Sequence, residues 1–124
     1  MMISVQQRSV PVSYEKCNQT VTVYHKEGEQ YVRTVFENAF LDHKTVQSVD
    51  KTGSSTANTF LLVLPCAEQV VFQGDKVLLG VGDEINTREE WAAFIPAKVS
   101  GLSVVRYVDC KYWQGKMCHL EAGG

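Results

Sequence analysis

Five consecutive apolar residues, Phe60, Leu61, Leu62, Val63 and Leu64, run between polar Asn58-Thr59 and Pro65. A run this short, stopped by a proline, suits a β-strand covered on both faces better than a helix. After the proline comes a second short extended piece and then Gln73-Gly74-Asp75-Lys76. There Gly supplies positive φ at no steric cost, and Asp can bond its own backbone two residues on. Val77, Leu78 and Leu79 resume the apolar pattern, and Gly80 ends it. The stretch from Thr59 to Gly80 is therefore expected to be scaffold: two buried strands and the turn that joins them.

The flanking segments are patterned for strands as well. Gln19 to Lys26 alternates, with Val21 and Val23 on one face and Thr20, Thr22 and Tyr24 on the other. Tyr31 to Phe36 alternates again, and the polar, Gly-containing link Glu27-Gly28-Glu29-Gln30 makes the two a hairpin. Asp42-His43-Lys44 reads as a second reversal and Thr45 to Val49 as another short strand. Lys51, Thr52, Gly53, Ser54, Ser55, Thr56, Ala57 and Asn58 form the most loop-like segment, small and polar with nothing to bury. A loop flanked by firm strands is where such domains often place binding surfaces, although a plain solvated hairpin loop has the same composition.

Asn86 or Thr87 can cap a short helix over 87–94. Glu89 and Glu90 in its first turn suit the helix dipole, and Pro96 follows its end. A helix this short must dock by Trp91 and Phe94. Lys98 to Asp109 reads as one strong strand. A last hairpin turns at Gln114-Gly115 into Lys116 to Glu121, leaving Ala122-Gly123-Gly124 as a loose tail. Residues 1–13 are expected to be a mobile arm or an edge strand, with Pro11 barring a helix or a central strand position. The fold class is mainly β: a small barrel or sandwich of about six to eight short strands and one short helix, in a single domain spanning 1–124.

Charge and cysteine usage narrow the function. At 124 residues the chain can bury a core unaided. A net charge of −2 argues against a protein that coats nucleic acid. No stretch reaches the length of a membrane span, and the N-terminus lacks the apolar core of a signal peptide. The four cysteines, Cys17, Cys66, Cys110 and Cys118, form no C-x-x-C pair and are expected to be reduced thiols. Cys118 and His119 are adjacent, which on a strand sends them to opposite faces and makes joint metal ligation awkward. Gly80-Val81-Gly82 lacks the third glycine and the helix of a dinucleotide site. Ser54 and Ser55 lie in a polar stretch rather than a nucleophile elbow, and the carboxylates show no acid–base spacing. His119 reads as a structural hydrogen-bonding residue. No enzyme, cofactor or metal is expected. Tyr24, Tyr31 and Tyr107, with Lys26, Arg33 and Arg106 nearby, leave open an oligonucleotide-binding barrel face, against cross-strand aromatic pairs as the plainer alternative.

The ordered features also resemble a family. They are the opening hairpin from Val21, the Gly-bearing polar loop, the apolar strand ending in Leu64-Pro65, Gly74-Asp75-Lys76-Val77 with a strand ending in Gly80, and a final hairpin with a late His119. This order, from about Val21 to Glu121, is similar to small minor capsid or head–tail connector proteins of tailed bacteriophages. The helix at Trp91 to Phe94 has no counterpart in the family pattern. The resemblance implies a structural virion protein, a head-completion or stopper subunit forming a hexameric or dodecameric ring. Its partners would be its own copies, a portal or adaptor protein, and tail proteins. Genomic DNA would pass through the channel without sequence recognition, and no membrane would be involved. The segment Lys51 to Asn58 would be the channel or partner loop, and 1–13 and 122–124 would add strands to neighbours. A tail-terminator or other tail-side ring subunit is the nearest alternative.

Overall fold

A computed structural model of the chain describes residues 13–50 and 53–124; for 45–50 and 53–58 the description is of the backbone. The protein is mainly β. Its strands are β1 (Gln19–Glu27), β2 (Gln30–Asp50), β3 (Gly53–Pro65), β4 (Lys76–Leu79), β5 (Leu102–Val104), β6 (Tyr107–Trp113) and β7 (Lys116–Gly123). The one helix among the described residues, α1, spans Arg88–Ala93. All pairings are antiparallel, in the order β5-β4-β1-β2-β3-β7-β6.

The two edges of this seven-stranded sheet, β5 and β6, are joined only by Val105 and Arg106. Three Cα–Cα steps reach at most about 11 Å. The edges must therefore approach each other, and the sheet curls into a half-barrel. Backbone bonds hold the link at both ends. Val105 pairs with the 74–75 turn (Gly74 N to Val105 O and Val105 N to Asp75 O, both 2.8 Å), while Arg106 N donates to Gly123 O at 2.8 Å. Lys98 to Asp109 is thus two strands at opposite edges, not one.

β2 is the longest strand and changes partner along its length. Gln30–Ala39 pairs with β1 and Phe40–Asp50 with β3. At the switch the Gln19 side chain accepts from Leu41 N at 2.8 Å, replacing the strand neighbour that β1 no longer supplies. No reversal occurs at 42–44. The polar tripeptide stays extended because every residue from Phe40 to Asp50 has a partner on β3.

β3 and β4 are not neighbours either. β1 and β2 lie between them, so the segment 66–75 crosses the half-barrel and sets Val71, fully buried, into the core. There it meets Val21, Leu62, Leu64, Val77 and Leu120. On β3, Phe60, Leu62 and Leu64 are buried while Leu61 and Val63 are partly so; the strand is covered more fully on one face than the other.

The tail is not loose. Gly123 pairs with both Leu61 and Tyr107, Ala122 is buried, and Gly124 O accepts from Phe60 N at 3.2 Å. A Cβ at Gly123 would lie 2.5 Å from the Tyr107 hydroxyl, which explains glycine there. The tail is consumed within its own sheet. Residues 1–12 lie outside the described residues.

Candidate interaction site

β1 leaves β2 after Ala39, and β7 joins β3 only at Leu61. Beyond those points β2 and β3 pair solely with each other, in unbroken register through Lys44↔Thr59 to Asp50↔Gly53. At 3.3–3.4 Å per residue this two-stranded arm reaches about 26 Å past the level of Leu61. Gly53, Ser54, Ser55, Thr56, Ala57 and Asn58, expected as loop, are strand in this arm. Lys51 and Thr52 lie outside the described residues. The cause is tertiary: small polar residues accept an extended conformation when a facing strand takes their backbone bonds. Thr45 and Val46 opposite Asn58 and Ala57 were the available signal, since β-branched residues continue across the supposed reversal.

At the foot of the arm lies a groove of about 570 Å³ whose lining includes His43, Lys44, Thr59, Ser103, Arg106 and Gly124. His43 Nε2 is 2.9 Å from the hydroxyl of buried Ser103, tying β2 to β5 across the half-barrel. Lys44 and Arg106 are exposed, and no Asp or Glu side chain among the described residues lines the groove.

The rings of the alternative nucleic-acid face are not all presented to solvent. Tyr24 is buried, and its hydroxyl donates to Asp83 O at 2.8 Å. Its ring meets Phe94 edge-on at 4.7 Å, and Tyr31 lies 5.6 Å from Trp91. Two of the three tyrosines are therefore occupied in docking α1, while Tyr107 is half exposed on β6. Burial is the main cause raising the Tyr24 pKa above the usual tyrosine value. A Cβ at Gly82 would collide with the Tyr24 hydroxyl, so glycine lets the 80–83 segment approach this ring.

α1 is built as its sequence implies. Thr87 Oγ1 accepts from Glu90 N at 3.1 Å, and Glu90 Oε1 accepts from Thr87 N at 3.1 Å, a capping box. Its far end is held by a residue expected only as part of the 73–76 turn. Lys76, buried on β4, donates to Trp91 O at 2.7 Å and Phe94 O at 2.6 Å. Its ammonium also lies 4.2 Å from the Trp91 ring centroid. Burial, then repulsion from Lys26, lowers its pKa.

Two histidines are tied into polar clusters. His25 Nδ1 is 2.5 Å from Asp75 Oδ1, and Asp75 Oδ2 accepts from Phe72 N at 2.8 Å. His119, buried on β7, lies 2.8 Å from the Tyr14 hydroxyl and 3.1 Å from Glu121 Oε2. Hydrogen bonds thus engage both ring nitrogens of His119 and fasten the segment before β1 to β7. All four cysteines are free thiols, and burial raises the pKa of Cys17 and Cys66. Among the described residues no group of three or more His, Cys, Asp and Glu is arranged to hold a metal.

Asp75 yields a test. Burial, outweighing its bonds to His25 and Phe72, raises its pKa. A carboxyl with a raised folded pKa binds its proton more readily when folded. The resulting stabilisation is complete below the unfolded value of about 3.9 and is lost as pH rises through the folded one. Asp75→Asn, which can still accept from Phe72 N and donate to a neutral His25, should gain stability relative to wild type as pH rises from about 4 toward 7. Asp75→Ala should lose about 2–3 kcal/mol by orphaning both partners. Urea titrations across that range decide; a difference between the Asp75→Asn variant and wild type that ignores pH would refute the assignment.

The fold and its surfaces define a class: a small, curled, antiparallel β protein with a projecting two-stranded arm. Within that class the chain belongs to a Family of unknown function (DUF6751), whose model matches residues 16–124. Comparison with curated proteins and with solved structures gave no match. No helix among the described residues is long and apolar enough to cross a membrane.

Proposed function

We propose that this protein is a structural virion subunit, a head–tail connector or head-closure protein that forms a ring between portal-side proteins and the tail. The observation that carries this reading is the β2–β3 arm, a two-stranded extension of the curled sheet whose strands pair only with each other. A ring subunit needs a stiff body to hold its place and a projection to reach a neighbour or the channel. The formal charge of −2 suits a channel that lets DNA slide, because each phosphate contact would add affinity. In this reading the protein works in the virion, without catalysis or cofactor, and contacts its own copies, a portal or adaptor protein and tail proteins.

The test is assembly. Sedimentation and electron microscopy of the protein, alone and with a portal ring, should reveal closed rings of hexameric or dodecameric symmetry. A chain that stays monomeric in both conditions would refute the reading. Docking onto a tail tube instead of the portal would move the subunit to the tail side.

The groove at the arm's foot supports a second reading, a single-strand oligonucleotide-binding protein, since Lys44 and Arg106 line it with no carboxylate side chain opposite among the described residues. Anisotropy titrations with a labelled single strand at low salt separate the two. Binding that weakens about tenfold or more in Arg106→Glu favours this second reading, and no binding removes it.

A further inference from the structure

We infer that copies of this chain join head to tail by strand addition, the β3 side of one arm pairing with the open edge of β6 on the next copy. The inference rests on the ring reading above and names its interface. Three observations carry it.

The first is an unsatisfied ladder. Residues 53–60 of β3 bond β2 on one side, and apart from Phe60 N their other edge has no backbone partner among the described residues. β6, Tyr107–Trp113, likewise bonds β7 on one side only. A two-stranded ribbon is marginal in water, and three or more strands make it firm. The two free edges, 53–59 and Tyr107–Trp113, match in length at seven residues each.

The second is the absence of guards on the arm and their weakness on β6. Proteins protect free edges with proline, lysine and bulges. Residues 45–50 and 53–58 contain no Pro, Lys or Arg, and the β2–β3 register has no bulge. On β6 the register against β7 shifts once, between Lys111 and Tyr112, leaving Tyr107 to Lys111 regular, and the strand's one lysine, Lys111, has its charge met by Asp109 at 2.7 Å. Tyr107 and Tyr112 stand 51% and 64% exposed on β6, large surface that an added strand would cover.

The third is topology. β7 lies between β3 and β6 in the sheet, so the free edge of β6 faces away from its own chain's arm. Pairing between these edges has to be intermolecular. A contact between two different surfaces is heterologous, and it closes into a ring when the rotation permits.

The experiment is hydrogen exchange on the full chain, assembled against dilute monomer, with a charge variant beside it. Amides in 53–60 and in 107–113 should exchange about tenfold or more slowly in the assembly. Lysines at two arm positions, Ser55→Lys with Ala57→Lys, should weaken assembly about tenfold or more without moving the monomer's denaturation midpoint. Rings whose protection falls elsewhere, or that form equally well with the lysine variant, would overturn this inference and leave the ring reading standing. A wild-type chain that forms no ring would remove both.

Discussion

Replacing Lys76 by alanine is expected to detach α1 and lower stability by about 3–4 kcal/mol, a large share of the roughly 5–15 kcal/mol typical of a domain. The loss has three sources. Two carbonyls at the helix end, those of Trp91 and Phe94, lose a charged donor, and hydrogen bonds to charged groups are worth about 1.5–3 kcal/mol. The contact with the Trp91 ring adds about 0.5–2 kcal/mol. The negative end of the helix dipole loses a nearby cation, and the last turn of α1 carries no basic residue to replace it. A helix of six residues does not persist alone, so undocking should melt it and expose Tyr24 and Tyr31. Urea unfolding measures the loss, and a red shift in Trp91 emission reports the detachment. Lys76→Met, which keeps the apolar stem, should lose less than Lys76→Ala. Equal losses would mean that the stem contributes nothing.

The same residue predicts an alkaline signature. Its folded pKa is lowered, so the folded state holds the proton less tightly than the unfolded chain. Stability then rises with pH from the folded value to about 10.4, the unfolded one. The wild-type protein should therefore gain on Lys76→Met as the solution is made alkaline. A gap that moves the other way would contradict burial as the dominant influence on this amine.

What could be read in the sequence was local. The β1–β2 and β6–β7 hairpins follow from alternation around short glycine-bearing turns. At the second of these, Gln114 and Gly115 take φ of 53° and 79°, as a tight reversal requires. The helix was legible because Thr87 can cap it, Glu89 and Glu90 suit its first turn, and Trp91 and Phe94 offer docking rings. What was hidden depended on partners far along the chain. Asp42-His43-Lys44 has the composition of a turn and is strand only because β3 faces it. Val105-Arg106 carries no turn signature, yet there the chain passes from one sheet edge to the other. Lys76 reads as the end of a polar turn until α1 lies over it. Gly123 reads as slack until the Tyr107 ring is seen where its Cβ would be. Of the segment expected as a loop, 53–58 is half of a ladder, a form its small polar residues did not signal.

That difference sets the second large expectation. Excising residues 45–58 and joining Lys44 to Thr59 by Asn-Gly should abolish ring assembly while leaving the folded monomer intact. Lys44 and Thr59 are paired across the ladder, so a two-residue turn spans them without shifting register. Within the cut, the described residues pair only with one another, and Ala39, Leu41, Phe60, Leu62 and Leu64, which these strands bury in the core, are all retained. Monomer stability should therefore change by no more than about 1 kcal/mol, the scale of a shortened loop. Assembly should weaken by about a hundredfold or more, since removing a whole added strand forfeits all its backbone bonds at once. Sedimentation equilibrium and urea unfolding on the same preparation give the two numbers. A shortened chain that still closes rings would take the arm out of the interface. One that loses several kcal/mol would make the arm part of the core scaffold, and its projection from the sheet would then need another physical account.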